Sequence, residues 1–387
     1  MSKKTKVNIS RATLSISELA DAILAVGATN TILARGEPGI GKSSVLKEIV
    51  ARTGDEYQIV YIDCAQLDLG DFALPYVESV SGASGVVEKI TRFAPNARFG
   101  FQTGKKLLIM LDELGKAMRA VQNVLLTLLQ EGRIGEWYVP YGSIVFATTN
   151  LAGDAVGDRM EAHAINRVTV VDIRKPTVEE WCGWAIDAGV SPEVLAFVEA
   201  FPEVFDSYTN YAAGDVIDNP RIFNPRKPGG EAFTTPRSLE AASNIIKRRA
   251  AANGGVGLSA NVVQTLLAGA VGAATAADMA AFVAFGDQMP TWKDIMKKPS
   301  TTQVPESPVV RTMLVRRALQ ILSAPGDVTE RREEVSKWLV FLDRMDAELI
   351  ALFCISIAKD TKKVSLPWFG GNKCFVEILT KNAWTFA

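Results

Sequence analysis

The chain has 387 residues, with 42 Lys and Arg against 43 Asp and Glu, a formal net charge of −1 and a pI near 6.1. That length is too great for one ordinary core and predicts two or three domains, while the balanced charge gives no global electrostatic case for nucleic acid. The single histidine, His163, and the four cysteines Cys64, Cys182, Cys354 and Cys374, with no C-x-x-C pair, argue against a histidine-containing metal site or histidine-dependent hydrolysis.

Residues 1–6 are basic with no apolar segment behind them, so a secretory signal is not expected, and residues 1–10 read as a disordered tail. Residues 15–25 have helical spacing, with Ile16, Leu19, Ile23 and Leu24 on the apolar face. The apolar run Thr31-Ile32-Leu33-Ala34 then leads into Gly36-Glu37-Pro38-Gly39-Ile40-Gly41-Lys42-Ser43, a complete G-x-x-x-x-G-K-[ST] pattern, followed by Ser44 and a helix expected over 42–53. A strand ending in such a loop and opening a helix aims successive backbone N–H groups and the positive end of the helix dipole at one point, which suits a polyphosphate. Lys42 is placed to reach the β- and γ-phosphates, and the Ser43 hydroxyl to take one Mg²⁺ position.

A second strand is expected near 57–62, with Cys64 after it as a small buried side chain in a reducing compartment. The run Lys106-Leu107-Leu108-Ile109-Met110-Leu111 reads as a strand covered on both faces and ends in Asp112 and Glu113. Ligands bind at the C-terminal ends of such strands. Asp112 is placed to hold Mg²⁺ through water, and Glu113 to polarise the water that attacks the γ-phosphate. Residues 132–141 alternate like a hairpin. The next strand, 143–149, ends in Asn150, which suits γ-phosphate sensing or a simple turn. Arg159 and Arg167 precede a fifth strand at 168–173.

From Pro176 onward the pattern turns helical, with a capping box from Thr177 to Glu180. Residues 215–231, dense in Pro, Gly and Asn, read as a long loop leading to a helix with Thr235 as N-cap and Pro236 at its first position. Arg237 then falls in the first turn, where a cation opposes the helix dipole and needs an anionic partner unless it is exposed. Residues 256–285 are rich in Ala, Gly and Val, but Ser259, Asn261, Gln264, Thr275 and Asp278 interrupt them, so two packed helices are expected and no membrane span. Residues 297–308, with three prolines, read as a linker, followed by helical patterns at 309–322 and 329–359 and an apolar tail containing Trp368, Phe375 and Trp384.

The order of the phosphate loop, Asp112-Glu113, Asn150, Arg167 and Arg237 resembles the AAA+ ATPases, in particular the MoxR and dynein-related branch, over residues 11–295. Matching phrases are Ile109-Met110-Leu111-Asp112-Glu113-Leu114, Leu129-Gln130-Glu131-Gly132-Arg133 and Phe146-Ala147-Thr148-Thr149-Asn150. The resemblance implies an α/β P-loop NTPase fold, a parallel five-stranded sheet in the order 5-1-4-3-2 with flanking helices, followed by an all-α lid and a helical C-terminal extension. The expected domains are a core at 11–174, a lid at 175–296 and the extension at 309–387. It makes residues 36–43 the Walker A loop, residues 107–113 Walker B, Asn150 sensor 1, Arg167 an arginine finger and Arg237 sensor 2. Arg159 is the rival for the finger, because the family's Asp-Arg-Phe-like phrase is here Ile165-Asn166-Arg167-Val168.

The function so implied is binding and hydrolysis of ATP with Mg²⁺ in a ring, expected to be a hexamer in the cytoplasm. Such a ring would remodel or activate a client protein, with a von Willebrand factor A-domain protein as a possible partner. The alternative is a motor or loader acting on nucleic acid. Phe72 and Tyr76, within residues 67–76, are client-gripping candidates or loop anchors, and the 132–141 hairpin is expected to face the ring pore.

Overall fold

The computed structural model describes residues 12–81, 87–151, 165–212, 214–227, 229–249, 257–369, 375 and 378. The chain folds as two units, residues 1–176 with 225–228 and residues 177–224 with 229–387. The first is built on a parallel sheet of β1 (Thr13–Leu14), β2 (Ile32–Arg35), β3 (Gln58–Asp63), β6 (Leu107–Asp112), β9 (Ile144–Thr149) and β10 (Thr169–Ile173). Two antiparallel hairpins stand apart from it, β4 (Ala73–Ser81) with β5 (Val87–Pro95), and β7 (Arg133–Ile134) with β8 (Trp137–Tyr138).

The sheet order is β1-β10-β2-β9-β6-β3. The five expected strands thus take the order 5-1-4-3-2, each starting one residue later than the sequence pattern suggests. The additional edge strand β1 is two residues long, too short to leave a periodicity. Every residue of β6 and of β9 is buried, as continuous apolar runs in the middle of a two-sided parallel sheet require. On one face Leu33, Ile109, Leu111 and Val145 pack with Val121, Leu125 and Leu128 of helix α3 (Arg119–Glu131). On the other, Ala34, Met110 and Phe146 pack with Leu19 and Ile23 of α1 (Ile16–Val26) and with Val45 and Ile49 of α2 (Ser44–Thr53). Each fully buried large side chain of this kind contributes about 1.5–3 kcal/mol by leaving water. These two layers fix the C-terminal edge of the sheet, where β2, β6 and β9 end side by side.

The β4–β5 hairpin is nine residues a side, paired from Ala73 with Pro95 to Ser81 with Val87, over a stretch for which the sequence pattern gave no strands. Leu74 and Val77 are 68% and 65% exposed, so no buried face imposes the alternation by which a strand is recognised. Phe72, at its base, is buried and stacks on Phe99 at 5.7 Å between ring centroids, so of its two sequence-based roles it takes that of loop anchor. Tyr76 is exposed. The β7–β8 hairpin forms as expected, and the Trp137 indole N–H donates to the Phe93 carbonyl at 3.0 Å, tying one hairpin to the other.

The second unit is helical. Residues 256–285 contain the two expected helices, Ala260–Val271 and Ala273–Gly286, and no helix among the described residues is long and apolar enough to cross a membrane. The helix Pro236–Lys247 starts as read, Thr235 capping it through Ser238. In the segment 297–308 Val304 packs against the cluster that holds Ile295 before it and Met313 after it. Helices Pro308–Ser323, Val328–Leu342 and Ala347–Ala358 add Leu319, Trp338 and Phe353 to the core that contains Trp181, Phe197 and Leu239. Trp368 is buried and donates to the Leu322 carbonyl at 2.7 Å; Trp384 lies outside the described residues.

Candidate functional site

The phosphate loop leaves β2 at Arg35 and enters α2 at Ser44. Gly39 and Gly41 have φ of 74° and 97°, in the left-handed region that favours glycine. A Cβ at Gly36 would come within 2.5 Å of Ile40 Cδ1, so a side chain there would require Ile40 to shift. Its flank is fixed by charge: Glu37 and Lys175 are both buried and form an ion pair at 3.1 Å, and Arg35 pairs with Asp172 at 2.7 Å.

Lys42 is buried, and its ammonium donates to the carbonyls of Gly36 at 2.9 Å and Glu37 at 2.8 Å and to Asn150 Oδ1 at 2.7 Å. Asn150 is buried immediately beyond β9. The Ser43 hydroxyl donates to Asp112 Oδ2 at 2.6 Å. Ser43 is the N-cap of α2 but makes no side-chain cap bond, its hydroxyl being committed to Asp112; the helix accordingly begins at Ser44 and not at Lys42. Asp112, the last residue of β6, is buried and accepts further from Tyr61, from Thr148 and from the Glu113 backbone N–H.

Glu113 has φ of 54°, the only non-glycine residue with positive φ among those described. The strain of that left-handed conformation, about 1–3 kcal/mol, sits at the residue the sequence selects as catalytic. Its carboxylate pairs with Lys116 Nζ at 2.8 Å, three residues on. Cys64 offers no reactive thiolate, because burial and then the nearby Asp112 charge push its pKa well above the usual thiol range.

The structure therefore gathers Lys42, Ser43, Asp112 and Asn150 at the end of the sheet, with Glu113 next in the chain. Arg167 is exposed and donates to Gln130 Oε1 at 2.9 Å. Arg237 is exposed in the first turn of the helix Pro236–Lys247, in the second unit. Arg159 lies outside the described residues. Sequence reasoning passed over Tyr61, Thr148, Lys116 and Lys175. Only Thr148 left a signal there, lying two residues before Asn150 on the strand implied to neighbour Asp112.

The donor set suits Mg²⁺. Ser43 and Asp112 offer only oxygen, the ligand type that ion prefers, and no group of three or more His, Cys, Asp or Glu among the described residues could hold a metal ion unaided. An ion held by one or two side chains plus substrate phosphates fits such a site.

Residues 31–152 match the AAA domain family, dynein-related subfamily, and this span contains the loop, Asp112, Glu113 and Asn150. Over 176 residues the chain is 30% identical to the anaerobic nitric oxide reductase transcription regulator NorR of Aliivibrio fischeri, covering 43% of this chain and 33% of NorR. The chain thus spans about a third of that relative's length. Among solved structures, NtrX from Brucella abortus in complex with ADP is 15% identical, with a TM-score of 0.37, over 96% of this chain and 69% of NtrX. The Thermotoga maritima RuvB Holliday junction branch migration motor is 11% identical, with a TM-score of 0.35, over 83% of this chain and 80% of that one. The parallel sheet and its phosphate loop define the fold, and residues 31–152 are the part that matches the AAA family model.

Proposed function

We propose that the AAA domain of this chain is a Mg²⁺-dependent ATPase working in a ring, which uses ATP hydrolysis to remodel or activate a partner protein. The observation that carries the reading is the convergence of Lys42, Ser43, Asp112 and Asn150 at the end of three adjacent parallel strands.

The phosphates of ATP lie against the loop N–H groups and the start of α2. Lys42, held over the loop by two carbonyls and Asn150, exchanges those partners for phosphate oxygens with its charge already in position. Ser43 and Asp112 would hold Mg²⁺, which would supply positive charge to the phosphates. Glu113 orients and polarises the attacking water, which it does once its carboxylate leaves Lys116. Asn150 reports the γ-phosphate to β9, and Arg237 contributes as the second sensor. Arg167, with Arg159 as rival, supplies positive charge to the ATP of a neighbouring subunit, so assembly is part of the mechanism.

On this reading residues 11–174 are the nucleotide-binding core, 175–296 the lid and 309–387 an extension. The exposed Tyr76, Trp137 and Tyr138 on the linked hairpins are the candidates for gripping a client. A hexamer, a MoxR-type chaperone role and a von Willebrand factor A-domain partner follow from the family analogy. The near-neutral charge favours a protein client over nucleic acid. Nucleotide binding tests the site first. The parent chain is expected to bind a fluorescent ATP analogue and Lys42→Ala to lose at least about tenfold in affinity, the loss of a charge-assisted contact; equal binding by the two would remove Lys42 from the site.

A further inference from the structure

Asp112 accepts from four donors, two on each carboxylate oxygen, and holding Mg²⁺ through water would displace the Ser43 hydroxyl from it, the donor that itself turns to the cation. Oδ2 accepts from Ser43 at 2.6 Å and from the Tyr61 hydroxyl at 2.9 Å; Oδ1 accepts from Thr148 and from the Glu113 backbone N–H at 3.1 Å. Ser43 and Glu113 belong to the nucleotide motifs themselves. Thr148 and Tyr61 come from the two strands that flank β6, one from β9 and one from β3. A carboxylate gripped from both sides of its own strand has a single orientation.

Tyr61 is in an odd place for a packing residue. Along β3, Val60 and Ile62 point into the core, whereas Ile59 and Tyr61 are on the open face of an edge strand, with Tyr61 52% exposed. The ring thus buries little, yet its hydroxyl reaches Asp112. The register pairs Tyr61 with Met110 and Asp63 with Asp112, so Tyr61 reaches diagonally to the residue two further along the neighbouring strand.

We propose that Tyr61 is a positioning residue for the divalent cation: its hydroxyl fixes the Asp112 carboxylate in the orientation that receives Mg²⁺, and so sets cation affinity without touching nucleotide. The proposal rests on the ATPase reading above, because it places the cation at Ser43 and Asp112. Outer hydrogen bonds to a ligating group typically change metal affinity by about 10–100-fold, and a single bond from a half-exposed tyrosine belongs at the lower end.

The test is a Mg²⁺ titration of fluorescent ATP-analogue binding to the full chain, for the parent, Tyr61→Phe and Tyr61→Ala, with binding also measured in excess EDTA. Tyr61→Phe keeps the ring and removes only the donor. It is expected to raise the Mg²⁺ concentration at the midpoint by about tenfold, to leave the EDTA affinity unchanged and to melt with the parent. Tyr61→Ala is expected to match it, since the ring contributes little. An unchanged midpoint in Tyr61→Phe would overturn the proposal and leave the ATPase reading standing. A loss of EDTA affinity equal to the loss in Mg²⁺ would also overturn it, by showing a general structural role. A parent that binds no nucleotide in either condition would overturn both readings.

Discussion

The Glu37–Lys175 pair shows how one residue can hold a functional loop in place. Both partners are buried, so each charge stabilises the other in its site. Lys175→Met is expected to destabilise the first unit by about 3–5 kcal/mol, read from urea unfolding, because it removes the cation paired with a buried carboxylate. The double variant Glu37→Gln with Lys175→Met should regain most of that loss; if it is no better than the single variant, the pair is not the source. Burial also governs the thiols. Cys182 is pushed up to about 12, by burial first and then by the Glu199 charge, and Cys354 up to about 12 by burial alone. A raised thiol pKa keeps the neutral, unreactive form up to that pH. Neither residue should alkylate in the native protein at about pH 8.5, where an ordinary thiol is half ionised, and both should do so after unfolding; mass spectrometry of native labelling decides it. At this scale the motif residues were legible because their chemistry demands fixed spacing along the chain. Tyr61, Lys116 and Lys175 were not, because their roles depend on register across strands, on a single backbone turn, and on a loop meeting the end of β10.

Elements were legible in proportion to their burial. β6 and β9 are covered on both faces and left unbroken apolar runs, and the helix Pro236–Lys247 announced itself through Thr235 and Pro236. The β4–β5 hairpin left no such trace, since it has no buried face to impose a period of two. Its anchors, Phe72 and Phe99, lie outside the paired strands. Replacing residues 75–93 by a short Gly-Ser turn should therefore leave the sheet and the phosphate loop intact, with nucleotide affinity changed by less than about twofold, because exposed connections tolerate such change. A large loss of nucleotide binding would show that the hairpin supports the site. On the proposed function, the same deletion should abolish any stimulation of ATP turnover by a client.

Across the whole molecule, the residues assigned to catalysis are divided between units: the loop, Asp112, Glu113, Asn150 and Arg167 are in the first, Arg237 in the second. Periodicity revealed helical patterns at 309–322 and 329–359, the second broken in the structure between Leu342 and Ala347, but it could not reveal that their side chains join the same hydrophobic cluster as Trp181 and Leu239, because that depends on contacts far apart in sequence. Assembly is likewise invisible in a single chain, and the proposed ring is tested through Arg167. Light scattering with ATP and Mg²⁺ should give a ring-sized mass for both the parent and Arg167→Ala, while the variant loses turnover by about 10³-fold, as removal of an arginine finger does; a monomeric parent that turns over at the variant's rate contradicts a finger acting between subunits. The most direct test of the central claim is phosphate release by the parent and by Glu113→Gln at matched nucleotide occupancy in Mg²⁺. Turnover by the parent is expected, with a fall of at least about a hundredfold in a variant that still binds ATP, the contribution of a positioned general base. A variant that releases phosphate as fast as the parent, or a parent that binds ATP and releases none, would contradict it.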